Sequence, residues 1–500
     1  MLLSPRRPLL LVGALLAVGV TVLTGPAGGA SAATTAPPRG TTYDGGLLGT
    51  LYDQATTIEA FSSPVVGNVA GHTDGDVDVV AGYPDGSLHV WSARSGRQEF
   101  VVRTLGAIQA SPTIFRVPGG PLAVVSSNTQ GEVFAYTFTG GVARRTFYKK
   151  VTKTGNPSVN GFFGTATVAD LDHNGRQWIV ASSWDQRLYV WDLAGNTKPG
   201  FPFWAKDTIW SSPVVATLDG DAYPSIVFGY DCFGVSGQDC YRDYRKGGGY
   251  VTVLGHTGVV RPGWPRFLAG ETVWSTPAVA DLFGNGRKEI VVGTGLFFKD
   301  DSTHPTAGHQ VLGFDSAGRT LPGFPIAVTS RTFSSPAIGD VLGLGTPQIA
   351  IGLENGTTGL FDSTGHRRWQ KCTSYLGTTC VGSHASPAIA DVFGTGRQQV
   401  VAVGGNDFHI LDAAGTDIAH AVIPETLVGL AATPTLVNID GTAKILFALM
   451  AKDTDPNKRR AKVITYTLPN ALGKSAWPMF KANLTRTGSG LPYVPNALHF

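Results

Sequence analysis

The chain has 500 residues, 39 Lys and Arg against 36 Asp and Glu, a formal net charge of +3, and only 15% charged residues. So small an excess over such a length gives no basic surface of the kind phosphate backbones require, and no nucleic-acid partner is expected. With Gly at 65 and Pro at 31, plentiful Val, Thr and aromatics, and no long segment of helical apolar period, the composition excludes a helical bundle and describes short strands joined by tight turns.

In chain order, Arg6 and Arg7 precede an apolar stretch from Leu9 to Leu23, and Ala30-Ser31-Ala32 is a small-residue cleavage pattern. Residues 1–32 therefore read as a secretory signal peptide and 33–44 as a flexible Ala/Thr/Pro-rich linker. The alternative is a membrane anchor, for which the stretch is near the lower length limit. The expectation is a secreted, extracellular monomer with no stable membrane insertion after cleavage.

From residue 45 to 490 one pattern recurs. A Ser/Thr-Pro step followed by small and apolar residues begins at Ser62 (SSPVVGNV), Ala110, Ser211, Ser275 (STPAVADL), Ser334, Ala385 and Ala432. GTATVADL at Gly164 is an eighth copy without the proline. Copies are about 47 to 64 residues apart, a spacing that signals a propeller or solenoid. Each continues through a polar glycine turn, a continuous apolar run such as QWIVAS or EIVVGT, a second glycine turn and an alternating strand such as RLYVWDL. In that strand Arg187, Tyr189 and Trp191 point one way, Leu188 and Val190 the other. A fourth, polar strand ending in PGFP or PGWP, at Pro199 and Pro262, suits an outer edge, where a missing donor is tolerated.

Four-stranded meanders with inner strands apolar on both faces must be buried between neighbours, and radial closure does this. The fold class is all-β: a β-propeller of eight four-stranded blades, with seven blades plus a terminal piece as the alternative. Residues 491–500 are left as a C-terminal tail.

The repeat resembles that of the FG-GAP (VCBS-type, integrin-α-like) propellers over nearly all of residues 45 to 490, and Ser275 to Gly293, STPAVADLFGNGRKEIVVG, is its nearest copy. The segment AWPMFKANLTRTG, from Ala476 to Gly488, is similar to a closing segment of such propellers and of PQQ-type ones. The resemblance is specific for fold and not for function.

It also implies calcium in the turn between first and second strands, where alternate carboxylates, a glycine and a closing acid supply hard oxygen ligands. Asp170, Asp172 and Asn174 fit, but Trp178 stands at the closing position. Asp281, Asn285 and Glu289 fit, but Phe283 interrupts them. Calcium is thus expected only in degenerate loops, against the plainer reading that Asp and Gly make the turn.

The resemblance further places the loops into the first strand and those joining second and third strands on one face. Here that face carries the long insertions at Tyr230–Gly249 and Phe297–Gly308. Cys232 with Cys240 and Cys372 with Cys380 close short loops and read as two disulfides, since four-cysteine zinc spacing is absent. Two positions before each Ser/Thr of the step stand Phe61, Gln109, Phe163, Trp210, Trp274, Phe333, His384 and Ala431. Phe61, Phe163, Trp210, Trp274, Phe333 and His384 are the candidate ligand-binding residues, around one mouth of the central channel. The alternative is that they wedge between blades as packing.

No nucleophile elbow, zincin, P-loop or dinucleotide motif is present. The expected function is non-enzymatic binding of an extracellular polysaccharide or protein through the decorated face. Two alternatives stay open: a calcium-dependent polysaccharide lyase or hydrolase, and a PQQ-type oxidoreductase.

Overall fold

The Ser/Thr-Pro step marks where each new sheet begins at the axis of the molecule. A computed structural model describes residues 37–48, 62–151, 161–232, 247–295, 308–423, 427–429, 432–452 and 459–488. In blade 1, strands Val65–Gly67, Asp78–Gly82, Ser87–Ser92 and Gln98–Arg103 pair antiparallel in chain order. Blades 2 to 7 repeat this plan, with innermost strands Thr113–Arg116, Thr167–Ala169, Val214–Ala216, Ala278–Ala280, Ala337–Gly339 and Ala388–Ala390.

Blade 8 is built from both ends of the ring. Thr435–Ile439, Thr442–Lys452 and Arg459–Thr467 are joined at the outside by Arg39–Leu48, and the short strand Leu427–Gly429 also pairs with Thr442–Lys452. The result is an eight-bladed all-β propeller with no helix among the described residues. Arg39 to Asp44, expected in a linker, therefore belong to the propeller: their backbone completes the edge of the last blade.

The repeated hydroxyl has a structural reason. Backbone N–H groups at the step donate to the hydroxyl of the next blade's step: Ser63 to Ser111, Ser111 to Thr165, Thr165 to Ser212, Ser212 to Thr276, Thr276 to Ser335 and Ser335 to Ser386, at 2.8 to 3.2 Å. Thr433 of blade 8 donates in turn to Ser63 of blade 1 at 2.9 Å, so the steps of eight blades and not seven take part. A small hydroxyl is needed at the crowded axis because the N–H it receives has no ladder partner there.

Side chains alternate as the strand period requires. Leu188 and Val190 pack with Val215, Ile226 and Phe228 of blade 4, whereas Trp191 packs with Phe115, Val125 and Phe147 of blade 2. Burial between blades, at about 25 cal/mol per Å² of apolar surface, is the main term holding the ring together. The PGFP and PGWP motifs precede the outer strands rather than ending them. Gly200 and Gly263 turn the chain at positive φ (87° and 85°) just before Phe203–Trp204 and Arg266–Ala269.

The segment from Ala476 to Gly488 does not add a strand to any sheet edge. It runs through the axis, hydrogen-bonding Ile389, Leu436, Ile114, Val168, Val215 and Val279 of six innermost strands in turn. Its two cations are buried. Lys481 Nζ donates to the carbonyls of Thr165 and Pro213 and to Thr167 Oγ1, and Arg486 to the carbonyls of Pro64, Pro112 and Phe480. Burial, aided by Arg486, holds the Lys481 ammonium far below its ordinary pKa. The propeller is plugged.

Candidate functional site

The chain enters each innermost strand from one face, so residues two positions before the step gather at that mouth. Five of the candidate residues come together there. Trp210 stacks on Trp274 with centroids 4.3 Å apart, Trp274 on Phe333 at 4.8 Å, and Phe333 meets His384 edge-on at 5.0 Å. At the other end Phe163 stacks on Trp184 at 3.8 Å, and Trp184 lies against Trp210 at 4.1 Å. Phe61 lies outside the described residues. Every ring in the run is half-buried.

Trp184 was not among the candidates. It sits at the tip of the turn between second and third strands, where blade 1 has Pro84 and blade 6 has Glu354. The signal was SSWDQR, a tryptophan in a turn, with Gln186 taking the positive φ (73°) that glycine holds elsewhere.

Beneath the run lies a second residue the sequence reading passed over. Asp231, at the end of strand Ser225–Cys232, is only 3% exposed and accepts the indole N–H of Trp274 at 3.1 Å. Burial, with the nearby charge of Asp207, pushes its carboxyl up to about 8. Its Oδ1 has no hydrogen-bond partner among the described residues, and neither does Glu271 Oε2 nor Trp184 Nε1. At the His384 end, Glu354 pairs with Arg331 at 2.6 Å and lies 3.8 Å from His384. His384 and Arg331 hold its carboxyl below the ordinary range.

The opposite face carries the acidic turns. Asp170 accepts the backbone N–H of Asp172 and Asn174 at 3.2 Å and of Gly175 at 2.7 Å. Asp281 accepts Asn285 and Gly286 at 3.0 and 2.7 Å. Asp340 and Asp391, in copies that have lost the other ligands, do the same with the residues four and five positions on. The shared role is therefore to close the turn.

Asp172 holds the Lys198 ammonium at 2.5 and 2.6 Å and also meets His256 at 3.0 Å. Partial burial pushes its carboxyl up, but Lys198 and His256 keep it below its ordinary value. Glu289 is 3% exposed, accepts Leu282 N–H at 2.8 Å, and is pushed up to about 7 by burial. The Asp170 loop does not fit a calcium ion, because the Lys198 ammonium is held on Asp172, the carboxylate that would have to ligate it.

Cys372 and Cys380 form a disulfide with a Cα separation of 5.9 Å, bracketing the hairpin of Tyr375–Leu376 and Thr379–Cys380. Cys232 is disulfide-bonded, and Cys240 lies outside the described residues.

No family model matches the sequence, and no curated protein matches it. Among solved structures, BamB from Moraxella catarrhalis aligns at 14% identity with a TM-score of 0.51, over 87% of this chain and 98% of that one. Sqt1 of Saccharomyces cerevisiae aligns at 11% identity with a TM-score of 0.55, over 87% of this chain and all of that one (100%). Identities this low show the fold alone, and that fold is the β-propeller.

Proposed function

We propose that the chain is a secreted, non-enzymatic propeller of the FG-GAP/VCBS class whose aromatic mouth binds a protein ligand. The observation that carries this reading is the unbroken run from Phe163 through Trp184, Trp210, Trp274 and Phe333 to His384, half-buried, with three of its five contacts stacked, one tilted and one edge-on. A sugar ring stacks on an open aromatic face, and here Phe163 stacks on Trp184 and Trp274 on both Trp210 and Phe333, which takes up faces a sugar would need. What is left is a strip of ring edges with a charged end at Glu354, Arg331 and His384, the mixture of tryptophan anchors and polar rim that protein interfaces use. Because the axis is filled, a ligand lies across the mouth and does not pass through it. Asp231, the acid nearest the run, is shut beneath Trp274, which argues against its use as a catalytic carboxyl. Calcium has no part in this reading.

The test is selection of displayed random peptides on the wild-type protein, with Trp210→Ala/Trp274→Ala as the counter-target and a polysaccharide panel assayed for binding and for new chain ends. Peptides that bind the wild type at least tenfold more tightly than the variant support the proposal. It fails if the variants make no difference, if no peptide is enriched, or if polysaccharide alone is bound or cleaved.

A further inference from the structure

Blade 7 carries a cluster of metal-ligating side chains that the mouth does not use. Its third strand, Asp407–Leu411, pairs with the outer strand, Asp417–Val422, and the register sets His409 opposite His420. Asp417 Oδ2 lies 2.8 Å from His409 Nδ1 and 3.1 Å from His420 Nδ1. The three ligand atoms all fall within 4.8 Å of one another. Around a tetrahedral ion with bonds of about 2.0–2.1 Å, neighbouring ligand atoms stand about 3.3 Å apart, close to the two Asp417–histidine separations, and the two ring nitrogens reach that distance by side-chain rotation from within 4.8 Å.

Three further observations converge. The other ring nitrogen of His409, Nε2, is 3.2 Å from Asp407 Oδ2, off the line of a good hydrogen bond yet close enough to take its N–H after a small rotation. That is the carboxylate–histidine arrangement that orients metal-bound imidazoles. Asp407 is itself held, since its Oδ1 accepts the Tyr375 N–H of the disulfide-bracketed hairpin at 3.3 Å. Lastly, Asp417 Oδ1 is buried and has no hydrogen-bond partner among the described residues.

Charge and exposure select the ion. Two neutral imidazoles with two carboxylates carry a formal charge of −2, which a divalent ion neutralises. Imidazole nitrogens with one carboxylate oxygen suit the zinc class and not calcium or magnesium, which take oxygen ligands. His409 is buried, while the His420 side chain is 44% exposed on the edge strand, so a fourth coordination position opens toward solvent.

We propose that His409, Asp417 and His420 bind one zinc-class divalent ion, with Asp407 orienting His409. The ion clips the outer strand of blade 7 to its neighbour, and the site is independent of ligand binding at the mouth.

The experiment is titration of the tag-free protein with Co2+, followed by its visible ligand-field absorption, and with Zn2+ by calorimetry. One equivalent should bind with the intense absorption of a four-coordinate nitrogen and oxygen site. His420→Ala and Asp417→Asn should each weaken binding about tenfold or more, and Asp407→Asn by about tenfold. His366→Ala, an exposed histidine of blade 6, should change nothing. Thermal melts of the metal-free variants establish that they fold, and the exposed His420 is the substitution that disturbs packing least. Absence of stoichiometric binding overturns the proposal, as does binding that His420→Ala and Asp417→Asn leave unchanged.

Discussion

The two faces of this propeller are made by the same repeat and hold their polar groups in opposite ways. On the acidic-turn face, the carboxylates of Asp170, Asp281, Asp340 and Asp391 are answered by backbone N–H groups four and five residues on. On the mouth face, buried polar atoms of Asp231, Glu271, Gln109 and Trp184 have no hydrogen-bond partner among the described residues. An unsatisfied buried polar group costs about 1–3 kcal/mol, so such groups gather where something other than stability is served. The acids that look like a site in the sequence accept the backbone N–H groups of their own turns, and the aromatics that look like packing border the unsatisfied groups.

The largest loss is expected at the axis that both faces share. Arg486→Ala leaves the carbonyls of Pro64, Pro112 and Phe480 without their donor, and stability should fall by about 3–5 kcal/mol in urea unfolding. A loss under about 1 kcal/mol would mean the plug is peripheral. On the mouth, Trp274→Ala should reduce affinity for a selected peptide roughly 30-fold, about 2 kcal/mol, the scale of an interface hot spot.

Asp231 separates the faces by pH. Its pKa rises from 3.8 unfolded to about 8 folded, so the stability it contributes is complete below pH 3.8 and is lost as pH rises through about 8. Asp231→Asn should remove that decline, making the variant more stable than wild type at pH 9 and similar at pH 4. Parallel melting curves across this range would count against burial of the acid. The smallest effect belongs to the turn face. Added Ca2+ should leave the unfolding midpoint in place, whereas calcium held at a hundred times its Kd would add about 2.7 kcal/mol.

Much of the ring was legible because the Ser/Thr-Pro step is local. Eight copies predict eight blades, and alternation in RLYVWDL predicts which residues meet each neighbour. What escaped depends on partners distant in sequence. Arg39 to Asp44 read as linker because their ladder partners, such as Val463 for Tyr43, lie over 400 residues away. Calcium ligands and turn-closing acids share one residue pattern, so sequence alone left Asp170 and Asp281 ambiguous; Lys198, well outside the loop, tips the first toward a salt bridge. Five of the six mouth residues come from one repeat position, which is why they were found, while Trp184 comes from a different loop. His409 and His420 have no motif spacing, because strand register rather than helical turn or loop brings them opposite each other.

The way the last blade is assembled governs the order of events as the chain acquires its structure. Its outer strand, Arg39–Leu48, is made first and pairs with Arg459–Thr467, made nearly last, while Lys481 and Arg486 dock only onto inner strands already gathered around them. Neither end has its partner until the circle of steps from Ser63 to Thr433 exists. Such non-local closure is slow and leaves an unpaired strand edge exposed meanwhile. Blades 1 to 7 can form progressively by local hairpin pairing, but commitment to the native ring waits for the final residues of the plug.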